Sequence, residues 1–525
     1  MTVPDPGPTL ADVLRRRAEQ EPERVFLSVG AGVVSWERMH ERARGVAAGL
    51  RALGVRAGDT VLLALGNRVE FVESWFGTAV AGAVEVPVNP DAVGARLAHV
   101  VAHSGARVAI VEPAMAGRLD ALAAQVPALE HMVVVGDGEG RGGIPRTPFA
   151  ELAGHPGEIP ERVGREDELA AILYTSGSTG PPKGVLVPHG QHRANGVQAV
   201  EACGITRDDV LFLCLPLHHN MAQGYGIWPA LLTGCRVRLT PRFDRGTFWS
   251  EVRAAGATVF PFVGGLLALL AAQTPRPDDR ANPLRVAYGV PIPAALHRRV
   301  EERFGLRLVH GYGSTEATIP VWTREPAEPG AAGRVIPGYE VRVVDEQDAE
   351  LGPDRVGEIV VRAQSPVGMF IGYHRDPDQT ARARRGGWFH TGDRGRFDRS
   401  GQLWFCGRAG DAIRRFGEFV DADEVEDAAL ADADVEQVAC FAVEDETAGQ
   451  EVAVAVVPRA GAVLAPGLLR ARLAGRLPPH AVPRYIDVVA TLPTTPTGKV
   501  ERYRLRDRGI TPSTYDARAR ERQVQ

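Results

Sequence analysis

Lysine is almost absent from this chain, and the two lysines it has stand in segments whose composition suggests chemistry. Lys183 and Lys499 are the only lysines among 60 Lys and Arg residues. Lysine carries a compact charge on a flexible stem, whereas arginine presents a rigid planar fork. A site that needs one ammonium group against one oxygen atom would keep its lysine where other basic positions tolerate arginine. Both lysines are therefore candidates for a chemical role.

The segment before Lys183 has the composition of a polyphosphate-binding loop. It follows the apolar run Leu169–Tyr174, which predicts a buried strand, and we expect a helical stretch after it. Its glycines let backbone N–H groups approach an anion, and its hydroxyl groups add donors. Two prolines precede the lysine, so the pattern differs from GxxxxGK[ST]. The residues predicted to contact phosphate are Thr175, Ser176, Gly177, Ser178, Thr179, Gly180 and Lys183.

Composition excludes several other classes of protein. The net charge of −5 argues against a general nucleic-acid binder. The longest apolar stretch, Val259–Ala272, is interrupted by proline and glycine and is too short to span a membrane. The first ten residues lack the pattern of a signal peptide. The five scattered cysteines have no metal-ligand spacing and predict buried thiols. We expect a cytoplasmic protein with small-molecule partners, for which a homodimer remains an open option.

The alternation of apolar runs and helical patterns predicts an α/β fold. Runs of about six apolar residues separated by helices are typical of parallel-rich sheets covered on both faces. The predicted strands between residues 60 and 290 are Thr60–Leu65, Val84–Val88, Arg107–Val111, Leu169–Tyr174, Val210–Leu215, Val237–Thr240, Thr258–Val263 and Leu284–Tyr288. The predicted helices among them and just beyond are Glu70–Val80, Gly246–Ala255, Gly265–Gln273 and Pro293–Phe304.

The chain is long enough for two domains of unequal size. After Gly333, short strands and turn residues predict a hairpin-rich β subdomain. A further α+β unit begins near Asp411 and contains Lys499. We predict a large domain at residues 1–409, comprising the parallel-rich sheets and the β subdomain, and a small mobile domain at residues 410–525.

Five motifs in this chain occur in an order that resembles the adenylate-forming superfamily. That superfamily includes acyl-CoA synthetases, adenylation domains of peptide synthetases and luciferases. The matching segments are Tyr174–Gly184, Gly311–Glu316, Trp388–Asp393, Gly407–Asp411 and Thr497–Lys499. Leu215–Gln223 and Ala481–Arg506 look most like the branch of carnitine/crotonobetaine–CoA ligases.

The resemblance implies a nucleotide site for ATP and Mg²⁺. Besides the phosphate loop, it is expected to contain Gly289, Tyr312, Gly313, Thr315, Glu316, Asp393, Arg408 and Lys499. Tyr312 would stack on adenine and Thr315 would contact the α-phosphate. Asp393 would accept hydrogen bonds from ribose hydroxyls, and Arg408 would contact ribose or phosphate.

The same resemblance assigns the catalytic groups. Lys183, Glu316 and Thr175 would act on the phosphates, with Glu316 and Thr175 holding Mg²⁺. Lys499 would reach in from the small domain and bridge the acid carboxylate and the α-phosphate. The acid pocket would be lined by His219 and its surroundings, a set that favours a small or polar acid: Asn220, Gln223, Tyr225, Val263, Gly264, Tyr288, Gly289, Val290 and Gly311.

The implied reaction converts a carboxylic acid and ATP into acyl-AMP and pyrophosphate, followed by acyl transfer to CoA. Positioning and charge neutralisation would supply most of the catalysis. One alternative keeps adenylation with another acceptor, as in amide formation or in ATP-dependent nitrite activation that diazotises an arylamine. A non-catalytic nucleotide-binding protein is a further alternative, which the intact motif residues disfavour.

The segment between the domains departs from the family pattern. Gly410 stands at the hinge position, which is usually Asp or Lys, and glycine permits wide changes of φ and ψ. Phe416 and Phe419 replace residues that are usually small or polar in the loop expected to line the CoA tunnel. Their rings would either narrow that tunnel or pack into the small domain, and a narrowed tunnel would affect transfer to CoA but not adenylation.

Overall fold

The computed structural model describes residues 7–136, 143–157, 159, 164–175, 181–290, 292, 294–323, 328–408, 413–415, 418–420, 422–445, 449–494 and 500–519. In chain order the strands are β1 Val25–Val29, β2 Gly32–Ser35, β3 Thr60–Ala64, β4 Val84–Pro87, β5 Val108–Val111, β6 His131–Val134, β7 Arg146–Pro148, β8 Leu169–Thr175, β9 Lys183–Pro188, β10 Val210–Leu213, β11 Arg236–Leu239, β12 Val259–Val263, β13 Val286–Val290, β14 Arg307–Ser314, β15 Thr318–Trp322, β16 Arg334–Val335, β17 Tyr339–Val344, β18 Gly357–Ala363, β19 Gly372–Tyr373, β20 Phe389–Phe397, β21 Leu403–Arg408, β22 Ile413–Arg415, β23 Glu418–Val420, β24 Val435–Asp445, β25 Gly449–Pro458, β26 Tyr485–Val488 and β27 Tyr515–Asp516.

Helices alternate with these strands through much of the chain. They are α1 Leu10–Gln20, α2 Trp36–Ala52, α3 Val69–Val80, α4 Gly94–Ser104, α5 Pro113–Ala121, α6 Phe149–Ala153, α7 His189–Cys203, α8 Asn220–Ala222, α9 Trp228–Thr233, α10 Phe248–Ala255, α11 Gly264–Ala271, α12 Ala294–Phe304, α13 Pro377–Ala383, α14 Ala422–Leu430, α15 Pro466–Ala474 and α16 Arg502–Arg508. A π-helical turn, Gln223–Ile227, joins α8 to α9, and short 3₁₀ turns occur at Ala123–Gln125 and Arg385–Gly387.

Two large sheets form the body of the molecule. One has nine strands in the order β16-β15-β14-β13-β12-β10-β11-β1-β2, and the other has eight in the order β19-β9-β8-β4-β3-β5-β6-β7. Most of the pairings in their centres are parallel. The largest apolar core contains β3 residues of one sheet and β10 residues of the other, together with α2 and α3. The α/β fold with parallel-rich sheets is confirmed.

Two smaller antiparallel-rich sheets follow in the chain. Strands β17, β18, β20 and β21 form a four-stranded antiparallel sheet, which matches the predicted β subdomain. Strands β22 to β27 form the last sheet, whose apolar core is built from residues between Ile413 and Ile486. Within the part of the chain described, no helix is long and apolar enough to cross a membrane. The five cysteines are buried, as predicted.

One sequence prediction about the phosphate loop is wrong. The loop does not lead directly into a helix, because Lys183 begins strand β9, which pairs antiparallel with β8. Thr175 and Lys183 are partners in this pairing, and α7 begins only at His189. Alternating side chains such as Val185 and Val187 are fully buried on β9, which is the pattern of a strand. The two ends of the loop are therefore fixed beside each other.

Candidate active site

Several predicted acid-pocket residues lie at the carboxyl ends of neighbouring parallel strands. Val263 ends β12 and pairs with Val290, while Gly289 of β13 pairs with His310 of β14. Gly311 follows His310 on β14. Ligands of open α/β sheets bind at this edge, where loops and helix starts converge. The sheet thus brings together groups that are far apart in sequence.

Close strand packing explains the glycine at position 289. A Cβ atom added there would lie 2.2 Å from the carbonyl oxygen of Phe262. A Cβ at Gly311 would likewise lie 2.6 Å from Ile319 and 2.9 Å from Trp322. These glycines allow tight packing within the sheet.

His219 reaches the same edge from the loop after β10. It precedes α8 directly, and its ring lies 4.3 Å from that of His218, measured between centroids. Burial lowers the pKa of His219 to about 4 and that of His218 well below its ordinary value. Both imidazoles are therefore neutral near neutral pH, and His219 offers a hydrogen bond rather than a positive charge.

Asn220 and Tyr225 take part in a buried polar network. Asn195 on α7 donates from Nδ2 to Asn220 Oδ1 at 3.0 Å. The Tyr225 hydroxyl lies 3.0 Å from Asn195 Oδ1 and 3.0 Å from Gln198 Oε1. Tyr225 is only 2 % exposed. Its hydroxyl is thus committed to protein partners, and any contact it makes with an acid would come from its ring.

The network continues to the turn after Glu316. Gln198 donates from Nε2 to Thr318 Oγ1 at 3.1 Å. Thr318 has a φ of +62°, which is unfavourable for a β-branched residue. A Cβ atom at Gly313 would lie 1.9 Å from the Thr318 carbonyl oxygen, so only glycine fits opposite this turn. Gln191 on α7 also donates to the carbonyl oxygen of Thr315 at 2.7 Å.

A tyrosine joins two of the predicted phosphate-site residues. The Tyr373 hydroxyl donates to Glu316 Oε1 at 3.0 Å. Lys183 Nζ lies 5.8 Å from the centroid of the Tyr373 ring, within cation–π range. With the Gln379 amide oriented to satisfy its neighbours, its oxygen accepts a hydrogen bond from Lys183. The lysine and the glutamate thus flank one aromatic side chain.

Sequence reasoning missed Tyr373 and Gln379. Tyr373 is 57 positions from Glu316, and no motif spacing connects them. Its strand β19 pairs with β9, which begins at Lys183, and this pairing places it beside the lysine. Only the sheet order could have revealed the contact.

Tyr312 and Asp393 meet at a third point of the site. The Tyr312 hydroxyl donates to Asp393 Oδ2 at 2.9 Å, and the Tyr312 ring stacks near Phe405 with centroids 5.9 Å apart. In the backbone register, Asp393 on β20 lies opposite Arg408 on the antiparallel strand β21. The β subdomain therefore brings its aspartate to the end of β14.

The family of this chain follows from matches over both parts of its length. Residues 14–374 match the AMP-binding enzyme family, and residues 424–499 match the AMP-binding enzyme C-terminal domain. The chain belongs to the AMP-binding enzymes. The predicted superfamily and the prediction of an AMP-forming ligase are confirmed.

Relatives of this AMP-binding enzyme include acid–CoA ligases. Feruloyl-CoA synthase of Amycolatopsis sp is 33 % identical over 501 residues, covering 94 % of this chain and 97 % of that protein. Crotonobetaine/carnitine–CoA ligase of Salmonella typhi is 28 % identical over 463 residues, covering 85 % and 88 %. An anthranilate CoA ligase solved with anthranoyl-AMP shares the fold, with a TM-score of 0.88 and 24 % identity over 97 % of this chain and 99 % of that one.

The predicted likeness to carnitine/crotonobetaine–CoA ligases is thus confirmed, although feruloyl-CoA synthase shares greater identity. These relatives belong to the reaction class predicted for this AMP-binding enzyme, which is adenylation followed by transfer to CoA.

Several predicted site residues of this AMP-binding enzyme lie outside the described residues. They are Ser176, Gly177, Ser178, Thr179 and Gly180 of the phosphate loop, the hinge residue Gly410, Phe416 and Lys499. The side chains of Arg408 and Phe419 also lie outside the description. Thr494 and Val500, which flank the segment containing Lys499, pair with each other.

The oxygen donors near the phosphate loop suit Mg²⁺. Glu316 supplies a carboxylate and Thr175 a hydroxyl, and Mg²⁺ prefers such hard oxygen ligands together with phosphate oxygens and water. Across the ranges that the structure describes, no cluster of three or more His, Cys, Asp or Glu side chains could hold a metal alone.

Proposed function

We propose that this AMP-binding enzyme activates an aromatic carboxylic acid as acyl-AMP and transfers the acyl group to CoA. The observation that carries the proposal is the contact of Tyr373 with both Lys183 and Glu316. This contact brings residues of the phosphate loop and of the Gly311–Glu316 motif to one place. The strands that end at the acid pocket lead to the same edge of the sheet.

The chemistry requires the carboxylate to attack the α-phosphorus while pyrophosphate leaves on the opposite side. Lys183 and the phosphate loop would hold the β- and γ-phosphates, and Thr315 would contact the α-phosphate. Bound Mg²⁺ would neutralise phosphate charge, held by Glu316 and Thr175. Lys499 would bridge the entering carboxylate and the α-phosphate, so that negative charge is neutralised on both reactants.

The neutral His219 supports an acid whose body is uncharged. A buried imidazole with a pKa near 4 can donate to or accept from a hydroxyl or carbonyl group but offers no ion pair. A relative with 33 % identity is a feruloyl-CoA synthase, whose product carries an aromatic acyl group. We therefore propose a hydroxylated or methoxylated aromatic acid, activated through its carboxylate, ahead of a quaternary ammonium acid.

The second step is proposed to use CoA because the relatives are CoA ligases. Lys499 belongs to the small domain, for which we propose residues 410–525, with residues 1–409 forming the large domain. The family matches end at residue 374 and resume at residue 424, which supports a division between these positions. Rotation of the small domain would then remove Lys499 and open the site to the thiol.

The decisive experiment is ATP–pyrophosphate exchange with single acids. The panel contains ferulate, benzoate, anthranilate, carnitine, crotonobetaine and nitrite, and each reaction is repeated with CoA or an arylamine before mass analysis. We expect exchange and a CoA thioester with an aromatic acid. Exchange that yields a diazo compound or an amide, with no thioester for any acid, would contradict transfer to CoA.

Replacement of Lys499 tests the adenylation step directly. We expect Lys499→Ala to reduce the exchange rate on the order of 10²–10³-fold, the scale for loss of one charge contact in the transition state. Hydrolysis or thiolysis of acyl-AMP supplied from outside should change far less, because that step does not need the lysine. An exchange rate within a few-fold of the unaltered enzyme would show that the assigned role is wrong.

A further inference from the structure

A buried carboxyl group lies on strand β4. Glu85 is 1 % exposed, and Gln223 donates from Nε2 to its Oε2 at 3.1 Å. Gln223 is fully buried and is the first residue of the π-helical turn Gln223–Ile227. This hydrogen bond connects the eight-stranded sheet to the turn that follows His219 and Asn220.

Among the residues that the structure describes, two oxygen atoms of this pair have no hydrogen-bond partner. They are Glu85 Oε1 and Gln223 Oε1. An ionised carboxylate accepts hydrogen bonds but donates none, and an amide oxygen also only accepts. A buried charge with one hydrogen bond is costly. A proton on Glu85 supplies the missing donor, because a carboxylic acid and a carboxamide can close a ring of two hydrogen bonds.

The electrostatic surroundings agree with a protonated group. The pKa of Glu85 is raised well above its ordinary value by burial, and the hydrogen bond from Gln223 opposes this effect. Two titratable groups on nearby helices have another partner or are neutral. Glu73 on α3 pairs with Arg42 at 3.1 Å, and burial lowers the pKa of His192 on α7 to about 3.

The π-helical turn is held closely on its other sides. A Cβ atom at Gly224 would lie 2.6 Å from Asn195 Nδ2, and one at Gly226 would lie 2.7 Å from Leu213. Tyr225, between these glycines, contacts Asn195 and Gln198 on α7. Gln223 supplies the anchor to the other sheet. A π-helical turn is rare and occurs frequently at functional sites.

We propose that Glu85 is a neutral carboxylic acid that forms two hydrogen bonds with Gln223 and thereby fixes the π-helical turn beside the acid pocket. Glu85 is thus a positioning residue, which acts on substrate binding through Gln223 and the preceding residues His219 and Asn220. The inference that Glu85 is protonated does not depend on which substrate the enzyme uses. Its effect on acid binding rests on the proposed function.

Infrared difference spectroscopy tests the protonation state in the full-length chain. We expect a carboxylic C=O stretching band at neutral pH that is present in the unaltered protein and absent from Glu85→Gln. Glu73→Gln is the matched control, because Glu73 is a buried glutamate paired with an arginine, and it should retain the band. If the unaltered protein has no such band at neutral pH, Glu85 is ionised and the proposal is wrong.

Exchange kinetics test the positioning role. Glu85→Leu cannot bond to Gln223, so we expect KM for the acid to rise by about tenfold, the effect of losing roughly one buried hydrogen bond, with KM for ATP nearly unchanged. Glu85→Gln keeps a neutral partner of the same shape and should restore KM for the acid. Equal values of KM for the acid in all three proteins would contradict the positioning role.

The two experiments separate this inference from the proposed function. The infrared comparison of the unaltered chain with Glu85→Gln needs no substrate. If every acid failed in pyrophosphate exchange, the proposed function would be wrong, whereas the band would still report the state of Glu85.

Discussion

At the scale of single residues, Tyr373 has the greatest consequence for the site. Its hydroxyl donates to Glu316 and its ring lies beside Lys183. One side chain therefore orients the carboxylate and the ammonium group that both face the phosphates in the proposed mechanism. A carboxylate without such a donor would have more freedom to turn away from the metal. Tyr373 therefore acts as a support for two charged groups.

Tyr373→Phe isolates the hydroxyl contribution, since the ring remains for Lys183. We expect KM for MgATP in pyrophosphate exchange to rise by about tenfold, because a hydrogen bond to a charged group contributes about 1.5–3 kcal/mol. Tyr503→Phe is a matched control, as its hydroxyl donates to Glu501 at 3.1 Å on the protein surface. A similar change in both variants would show that the effect is not specific to Glu316.

Protonation of Glu85 predicts a particular dependence of stability on pH. Since its folded pKa is raised above the unfolded value of about 4.3, its contribution is complete below that value and is lost as pH rises toward the folded pKa. The melting temperature of the unaltered protein should therefore fall relative to that of Glu85→Gln as pH increases. If the melting temperatures of the two proteins differ by the same amount at every pH, the pKa of Glu85 is not raised.

At the scale of elements, the helical segment after β10 departs from regular helix where it meets two neighbours. The turn Gln223–Ile227 carries Gly224 against Asn195 and Gly226 against Leu213. Larger residues at either position would push the turn away from α7 or β10. The sequence Gln-Gly-Tyr-Gly thus allows two polar side chains to reach opposite partners while the backbone stays close.

Gly224→Ala tests this packing. The new methyl group would meet the Asn195 side chain, and we expect a loss of about 1–3 kcal/mol in the free energy of unfolding. Gly117→Ala is the control, because Gly117 is an exposed residue of α5 with no atom within 4 Å of an added Cβ. That change should stabilise by about 0.5–1 kcal/mol. Urea unfolding measures the free energy of unfolding of both variants. A change of the same sign in both would contradict the packing argument.

At the scale of the whole molecule, the last sheet has an apolar core of its own. Residues of that core lie between Ile413 and Ile486, whereas the cores of the two large sheets come from earlier residues. A unit with its own core can move as a body when its connection permits. The proposed movement of Lys499 into and out of the site depends on this independence.

Gly410→Pro is expected to separate the two steps of the reaction. Proline fixes φ near −65° and would restrict the rotation that we propose at the hinge. Pyrophosphate exchange should persist, while formation of the CoA thioester should fall by at least about tenfold, measured by mass analysis. Retention of full thioester formation would show that residue 410 does not need the freedom of glycine.

The sequence by itself predicted the α/β fold and the family because both depend on local patterns. Apolar runs and helical periodicities predicted the ends of strands such as Thr60–Ala64 to within one or two residues. The order of residue types around Lys183 and Glu316 indicated phosphate chemistry without any knowledge of distance. The wrong expectation of a helix after the phosphate loop arose because a short apolar run before a helix has no signal for antiparallel pairing.

The tertiary structure alone decided which side chains support those motifs. Tyr373 reaches Glu316 across 57 positions, and Gln223 reaches Glu85 across 138. Such contacts depend on the order of strands in a sheet and on which elements pack together, and no local spacing encodes either one. Residue types therefore determined the chemistry that the chain could perform, and packing determined which neutral or charged partners hold those residues in place.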